Sequence, residues 1–152
     1  MPVDQRHAGR TYPPTEPYTV TRHLIREFAD VVGITHPACF DVEAARALGH
    51  VDLVAPPTFA IVVTRRASRQ VTHDPAIGLD YARVVHGEQR FDLARPIVAG
   101  DELAATVTLE SVVHKGAMTF LTTRTDLHGA RGDLVVTARS TLVERGGADE
   151  RS

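Results

Sequence analysis

A chain of 152 residues suits one domain with one hydrophobic core, so a single fold must carry any function. Its 17 Lys and Arg against 19 Asp and Glu leave a formal charge of -2, which provides no broad positive field for nucleic acid or anionic lipid. Cys39 is the only cysteine, which excludes an internal disulfide and a cysteine-based zinc site, and neither a metal nor another cofactor is expected.

The first residues, Met1 to Arg10, are polar, and the longest aliphatic-rich stretch, Phe59 to Val63, is far too short to cross a bilayer. The expected location is the cytoplasm. Pro13, Pro14 and Pro17 remove backbone donors and fix φ, so residues 1–17 read as an irregular segment, with a short strand at Tyr18 to Thr21. Thr21 is a plausible N-cap for a helix whose apolar positions Leu24, Ile25, Phe28, Ala29 and Val32 recur at helical spacing and which stops at Gly33. A shorter helix is expected from Val42 to Leu48, capped by Asp41 and ended by Gly49.

After a loop from His50 to Pro57 the run Phe59 to Val63 continues through Ala67 to Val71. Its β-branched residues suit a strand, but its length, the preceding Pro56 and Pro57, and a cap at Thr58 favour a largely buried helix. Beyond Asp74 and Pro75 the period changes to two. Leu103, Ala105, Val107, Leu109, Ser111 and Val113 make one face of a strand. Similar strands fit Ala82 to Leu93, Ala117 to Leu127 and Leu134 to Val143, separated by turn signals at Gly100-Asp101, Lys115-Gly116 and Gly129 to Gly132. The polar end, 146–152, reads as a flexible tail.

Helices first and antiparallel strands after argue for an α+β domain over 18–145, in which one mostly apolar helix leaves water by lying in a concave sheet. A hot-dog fold, an antiparallel sheet wrapped around a long central helix, meets that requirement.

Five strings, in order, resemble the N-terminal, FAS1-type dehydratase subgroup of the MaoC-like dehydratases. They are Gly9-Arg10-Thr11-Tyr12, Ile25-Arg26-Glu27-Phe28-Ala29, Leu53-Val54-Ala55-Pro56-Pro57-Thr58-Phe59, Val85-His86-Gly87-Glu88-Gln89 and Arg95-Pro96-Ile97-Val98-Ala99-Gly100-Asp101. The subgroup includes the non-catalytic subunits of actinobacterial Had-type (3R)-hydroxyacyl-ACP dehydratases. The resemblance covers about residues 9–145 and independently implies the hot-dog fold.

Catalytic members of this family carry an aspartate, an asparagine two positions later, a proline, and a histidine five positions after the aspartate. With Pro37 as anchor, that frame places Ile34, His36 and Cys39 at the three chemical positions. The resemblance implies removal of water from a 3-hydroxyacyl thioester, with the histidine taking a proton beside the carbonyl and the aspartate handling the departing hydroxyl. Ile34 can exchange no proton, and an ordinary cysteine is only about 3% thiolate at pH 7. Loss of a positioned acid or base forfeits roughly a hundredfold to ten-thousandfold in rate.

Each other candidate has two readings. His36 is either a displaced base or a turn residue in Thr35-His36-Pro37, and Cys39 is either a nucleophile or a small semi-buried residue. His86 and Glu88 are expected to share a strand face with Arg90 and Asp92, an alternation that suits solvent or an interface. Alternatively His86, Gly87 and Glu88, with Pro57 and Thr58, shape a thioester channel. Arg65, Arg69 and Arg66 are either a solvated helix face or contacts for the phosphates of CoA or a carrier-protein arm.

The leading expectation is a non-catalytic subunit that pairs with a catalytic MaoC-like chain and forms part of the acyl channel for acyl-ACP or acyl-CoA. The rivals are a stand-alone homodimeric hydratase or thioesterase with a rearranged site, and an acyl-CoA or acyl-carrier binding module. Hot-dog precedent implies a dimer in either case, with itself or with the catalytic chain.

Overall fold

The computed structural model describes residues 3–146, so the expected flexible tail lies outside the described residues except for Gly146. Strand β1 (Tyr18–Thr19) and helices α1 (Arg22–Val31), α2 (Val42–Ala47) and α3 (Ala60–Thr72) precede the long strands β2 (Val84–Leu93), β3 (Glu102–Lys115), β4 (Met118–His128) and β5 (Leu134–Arg145). The five strands form one antiparallel sheet in the order β1-β3-β4-β5-β2. Curled around α3, it is a hot-dog fold of α+β class.

Local chemistry explains the helix ends. The Thr21 hydroxyl accepts a hydrogen bond from the Leu24 amide at 3.2 Å, and the Asp41 carboxylate accepts one from the Glu43 amide at 3.0 Å, each satisfying an amide that the helix itself leaves free. The cap expected at Thr58 is not formed. A 3-10 turn, Pro57–Phe59, leads into α3 without a side-chain cap, because Pro57 has no amide to satisfy and its fixed φ already suits the turn.

The expectation of a largely buried central helix needs narrowing. Ala60, Val63, Thr64, Ala67 and Val71 are buried against the sheet, whereas Ile61, Arg65, Ser68 and Thr72 form a second flank that borders a groove. Phe59, 1% exposed, anchors the start of the helix, and its ring meets the Phe28 ring of α1 edge-on at 5.4 Å. Burying such a side chain contributes about 1.5–3 kcal/mol.

The register shifts at three places, between Leu127 and His128 of β4 and at bulges in β3 and β2, and the last two overturn simple alternation. In β3 an extra residue, Glu110, falls between the Leu109↔Thr123 and Ser111↔Thr122 pairs. The inward face therefore continues through Val112, which is buried, while Val113 is exposed and Ser111 half-buried. This corrects the single inward row through Ser111 and Val113, because one inserted residue shifts the side-chain phase. In β2 the same event occurs at Gly87, between His86↔Leu142 and Glu88↔Thr141. The expected strand from Ala82 also begins later, after a 3-10 turn over Tyr81–Arg83.

The opening segment runs along the edge of β3 next to β1. The amides of Gly9, Tyr12 and Thr15 donate to the carbonyls of Leu109, Val107 and Ala105, and Val3 is buried in the core. The Tyr12 hydroxyl and Arg10 guanidinium both donate to Asp74, at 2.7 and 2.9 Å, just beyond the end of α3. Burial, followed by the Asp74 carboxylate, pushes the Tyr12 phenol up to about 12.

Candidate functional site

The loop between α1 and α2 holds the three motif positions. Ile34 is half-buried and packs on the hydrophobic core. The exposed His36 caps a 3-10 turn, Pro37–Cys39, by accepting the Ala38 amide at Nδ1 over 3.1 Å, so its neutral form carries the proton on Nε2. Cys39 is 5% exposed and burial pushes its thiol up from the ordinary value, away from the thiolate that nucleophilic work requires. The loop thus presents one imidazole engaged in its own turn, a hydrocarbon and a protonated thiol.

A groove of about 850 Å³ lies elsewhere, between the free flank of α3 and the sheet. That volume falls within the span of small-molecule sites, about 300–1,000 Å³. Arg65, Ser68, Arg69 and Thr72 of α3 form one wall. The floor is Thr123 and Thr125 of β4 with Ala138, Ser140 and Leu142 of β5, and His86 and Gln89 of β2 close the far side. At the end of α3 the His73 and Tyr81 rings stand 6.2 Å apart and border the same groove. The segment bearing Tyr81 is tied to β5 where the Asp80 amide donates to the buried Glu144 carboxylate at 2.6 Å.

The candidates divide accordingly. The Gly87 bulge separates His86 from Glu88: His86 pairs across Leu142, on the groove side, whereas Glu88 pairs across Thr141 with Arg90 and Asp92 following on the outer face. The shared face expected for His86 and Glu88 is therefore incorrect. Arg65 and Arg69 border the groove together, but Arg66 leaves them and stacks its guanidinium over the Tyr18 ring at 4.6 Å. Pro57 and Thr58 are exposed at the entry to α3 and do not line the groove. Sequence reading missed Gln89, the hydroxyl-bearing floor and Tyr81, since β-strand phase beyond a bulge and a loop's fold-back leave no mark in residue spacing. Among the described residues there is no cluster of metal-ligating side chains.

Residues 6–138 match the family model described as "FAS1-like, dehydratase domain region". The chain belongs to this family. Similar relatives include a UPF0336 protein of Streptomyces griseus, 54% identical over 95% of this chain and 97% of the relative. Among solved structures, the fold superposes on a MaoC-like dehydratase with a TM-score of 0.86 and 33% identity, covering 95% of this chain. This chain spans only 43% of that longer one. It also superposes, with a TM-score of 0.79 and 33% identity over 90% of this chain and 96% of the other, on a chain of the HadBC (3R-hydroxyacyl-ACP dehydratase) complex from Mycobacterium tuberculosis. As a member of the FAS1-like dehydratase domain family, the chain carries the hydratase and dehydratase hot-dog architecture.

Proposed function

We propose that this chain is a non-catalytic, channel-forming subunit of a (3R)-hydroxyacyl thioester dehydratase or enoyl hydratase. The observation that carries the reading is the motif loop, where Ile34 packs on the core, His36 caps its own turn and Cys39 is buried with its thiol held protonated. No acid–base pair can be assembled from these three groups, while the groove between α3 and the sheet stays open for a chain-like ligand.

The reading needs a partner that supplies the aspartate and histidine. Strand β2 is the sheet's outer strand, and Val85 to Arg90 are all exposed along it. An open edge of this kind offers unpaired backbone groups to another strand, and a hot-dog partner added there would close the side of the groove bounded by His86 and Gln89. Two relatives in fold, the HadBC complex above and a ChsH1-ChsH2 complex from Mycobacterium tuberculosis, are two-chain assemblies.

The test is turnover. The purified native chain should hydrate crotonyl-CoA at no measurable rate, and activity should appear when it is co-expressed with an Asp/His-bearing hot-dog chain and recovered as a complex. Turnover by the chain alone on the order of 1 per second or faster would overturn the proposal and direct attention to His36 and His86 in a homodimer.

A further inference from the structure

The outer face of the sheet carries an apolar row with no part in the site above. Strand register sets Val113, Phe120, Val143 and Val85 side by side across β3, β4, β5 and β2. The sequence neighbours Val112, Leu121 and Leu142 are buried on the inner face, so the row points away from α3. Val85 and Val113 are 42% and 40% exposed, and Met118 beside them is 42% exposed. The bulges build this row. The extra residue at Glu110 turns Val113 outward, and the one at Gly87 turns Val85 outward. Strict alternation would have put both valines on the inner face. Elsewhere the outer face is polar and paired within itself: Arg124 and Arg139 share Glu110, while Arg90 and Arg139 share Asp92. An exposed apolar strip rimmed by polar groups marks a contact surface.

We propose that this row is the contact between two copies of the chain, packed outer face to outer face about a two-fold axis that runs along the row. The charges beside it select this occupant and this axis. On the hairpin side of the row lie the cations Lys115 and Arg145, flanking Met118, and on the other side Glu88 follows Ser111, Thr122 and Thr141. An axis along the row lays each apolar side chain on its own counterpart and exchanges the two flanking rows, which stand about 7 Å to either side. Arg145 of each copy then sits over Thr141 of the other, one strand spacing of about 4.8 Å from that copy's Glu88. An axis along the strands would instead set the cationic row against itself. The strip covers four strands and three rows, a footprint of roughly 300 Å², below the about 800 Å² per partner of a standard interface, so the association is weak and concentration-dependent. The open edge of β2 stays free, so the contact joins two edge-paired units as readily as two single chains and does not rest on the catalytic role proposed above.

Sedimentation equilibrium of the full chain, alone and in complex with an Asp/His-bearing hot-dog chain, tests the contact over a range of concentrations. The largest native species should have twice the mass of the largest formed by Val113→Asp, whose self-association should weaken roughly tenfold or more. That variant spares the edge of β2, because β4 and β5 lie between it and β3. Arg145→Glu and Glu88→Arg should each weaken the association, and the two together should restore it. A benzophenone-maleimide attached to Val113→Cys, with Cys39 buried, should link to a second copy of the chain, whereas one on Thr106→Cys, far along the same face of β3, should not. Equal masses for the native chain and Val113→Asp at every concentration would overturn the proposal. So would linking from Val113→Cys to the catalytic chain in place of a second copy, or a charge-swapped pair no better than its single variants. None of these readouts involves turnover, so the contact and the non-catalytic role fail separately.

Discussion

The motif loop and the groove occupy different parts of the molecule and treat their side chains in opposite ways. The loop between α1 and α2 has turned inward: Ile34 and Cys39 join the hydrophobic packing, and His36 serves the backbone of its own turn. The groove is open, bordered by Arg65 and Arg69 and floored in part by Thr123, Thr125 and Ser140. Proton-transfer groups must be individually placed and tuned, so a few substitutions remove them, whereas a channel rests on the sheet and helix that also stabilise the fold. The difference separates a loop whose side chains are committed to packing and capping from a groove that stays open.

Breaking the joint between the regions should have the largest effect. Phe59 starts α3 and its ring meets Phe28 of α1, so Phe59→Ala should cost about 3–5 kcal/mol and loosen the motif loop from the groove wall, measured by urea unfolding and by hydrogen exchange across α1. A loss below about 1 kcal/mol would show that the two regions are not held by this contact.

Next in size, Ile34→Asp restores the carboxylate of the catalytic frame at a half-buried position packed on the core. It should cost roughly 1–3 kcal/mol, read from denaturation midpoints, with the variant more stable at low pH relative to the native chain than at neutral pH, since protonation removes the buried charge. The triple change Ile34→Asp/His36→Asn/Cys39→His is expected to add weak hydratase activity on crotonyl-CoA, detected by loss of enoyl absorbance above the native chain's background.

A smaller effect belongs to the bulge. A Cβ at Gly87 would come within 3.1 Å of the Val143 Cγ2 methyl and 3.5 Å of the Thr141 carbonyl, so Gly87→Ala should cost about 1 kcal/mol. The sharper measurement is a double-mutant cycle: in a Val143→Ala background the penalty should shrink. An unchanged penalty would mean that backbone freedom, not this contact, requires glycine.

The smallest expected effect is in the pH limbs. The Tyr12 hydroxyl and the Ala76 amide hold the Asp74 carboxyl below its usual value. The stability it contributes is therefore present above the ordinary carboxylate pKa of about 4 and is lost as pH falls through the lower folded value. Tyr12 behaves oppositely: raised from 10.0 to about 12, its contribution is present below the unfolded value and lost as pH rises through the folded one. Melting curves of Asp74→Asn and Tyr12→Phe should converge with the native chain's at the acid and alkaline ends respectively.

Residue spacing alone determined the helix that Thr21 caps, the change of period after Pro75, the α+β class and the chemical blankness of Ile34 and Cys39, because caps, periodicity and side-chain identity are local properties. The ordered strings that resemble the dehydratase family added the hot-dog fold, and the sheet topology and the superposed solved structures confirmed it. Only tertiary structure decided which side chains meet in the groove. The bulges at Glu110 and Gly87 reverse strand phase through pairing with a neighbouring strand, which no single strand's pattern contains. Arg66 parts from Arg65 and Arg69 because Tyr18, distant in sequence, offers its ring. Three basic positions within five residues of α3 look alike in one dimension, and the helix's rotation against the sheet separates the two that border the groove from the one that packs on the fold.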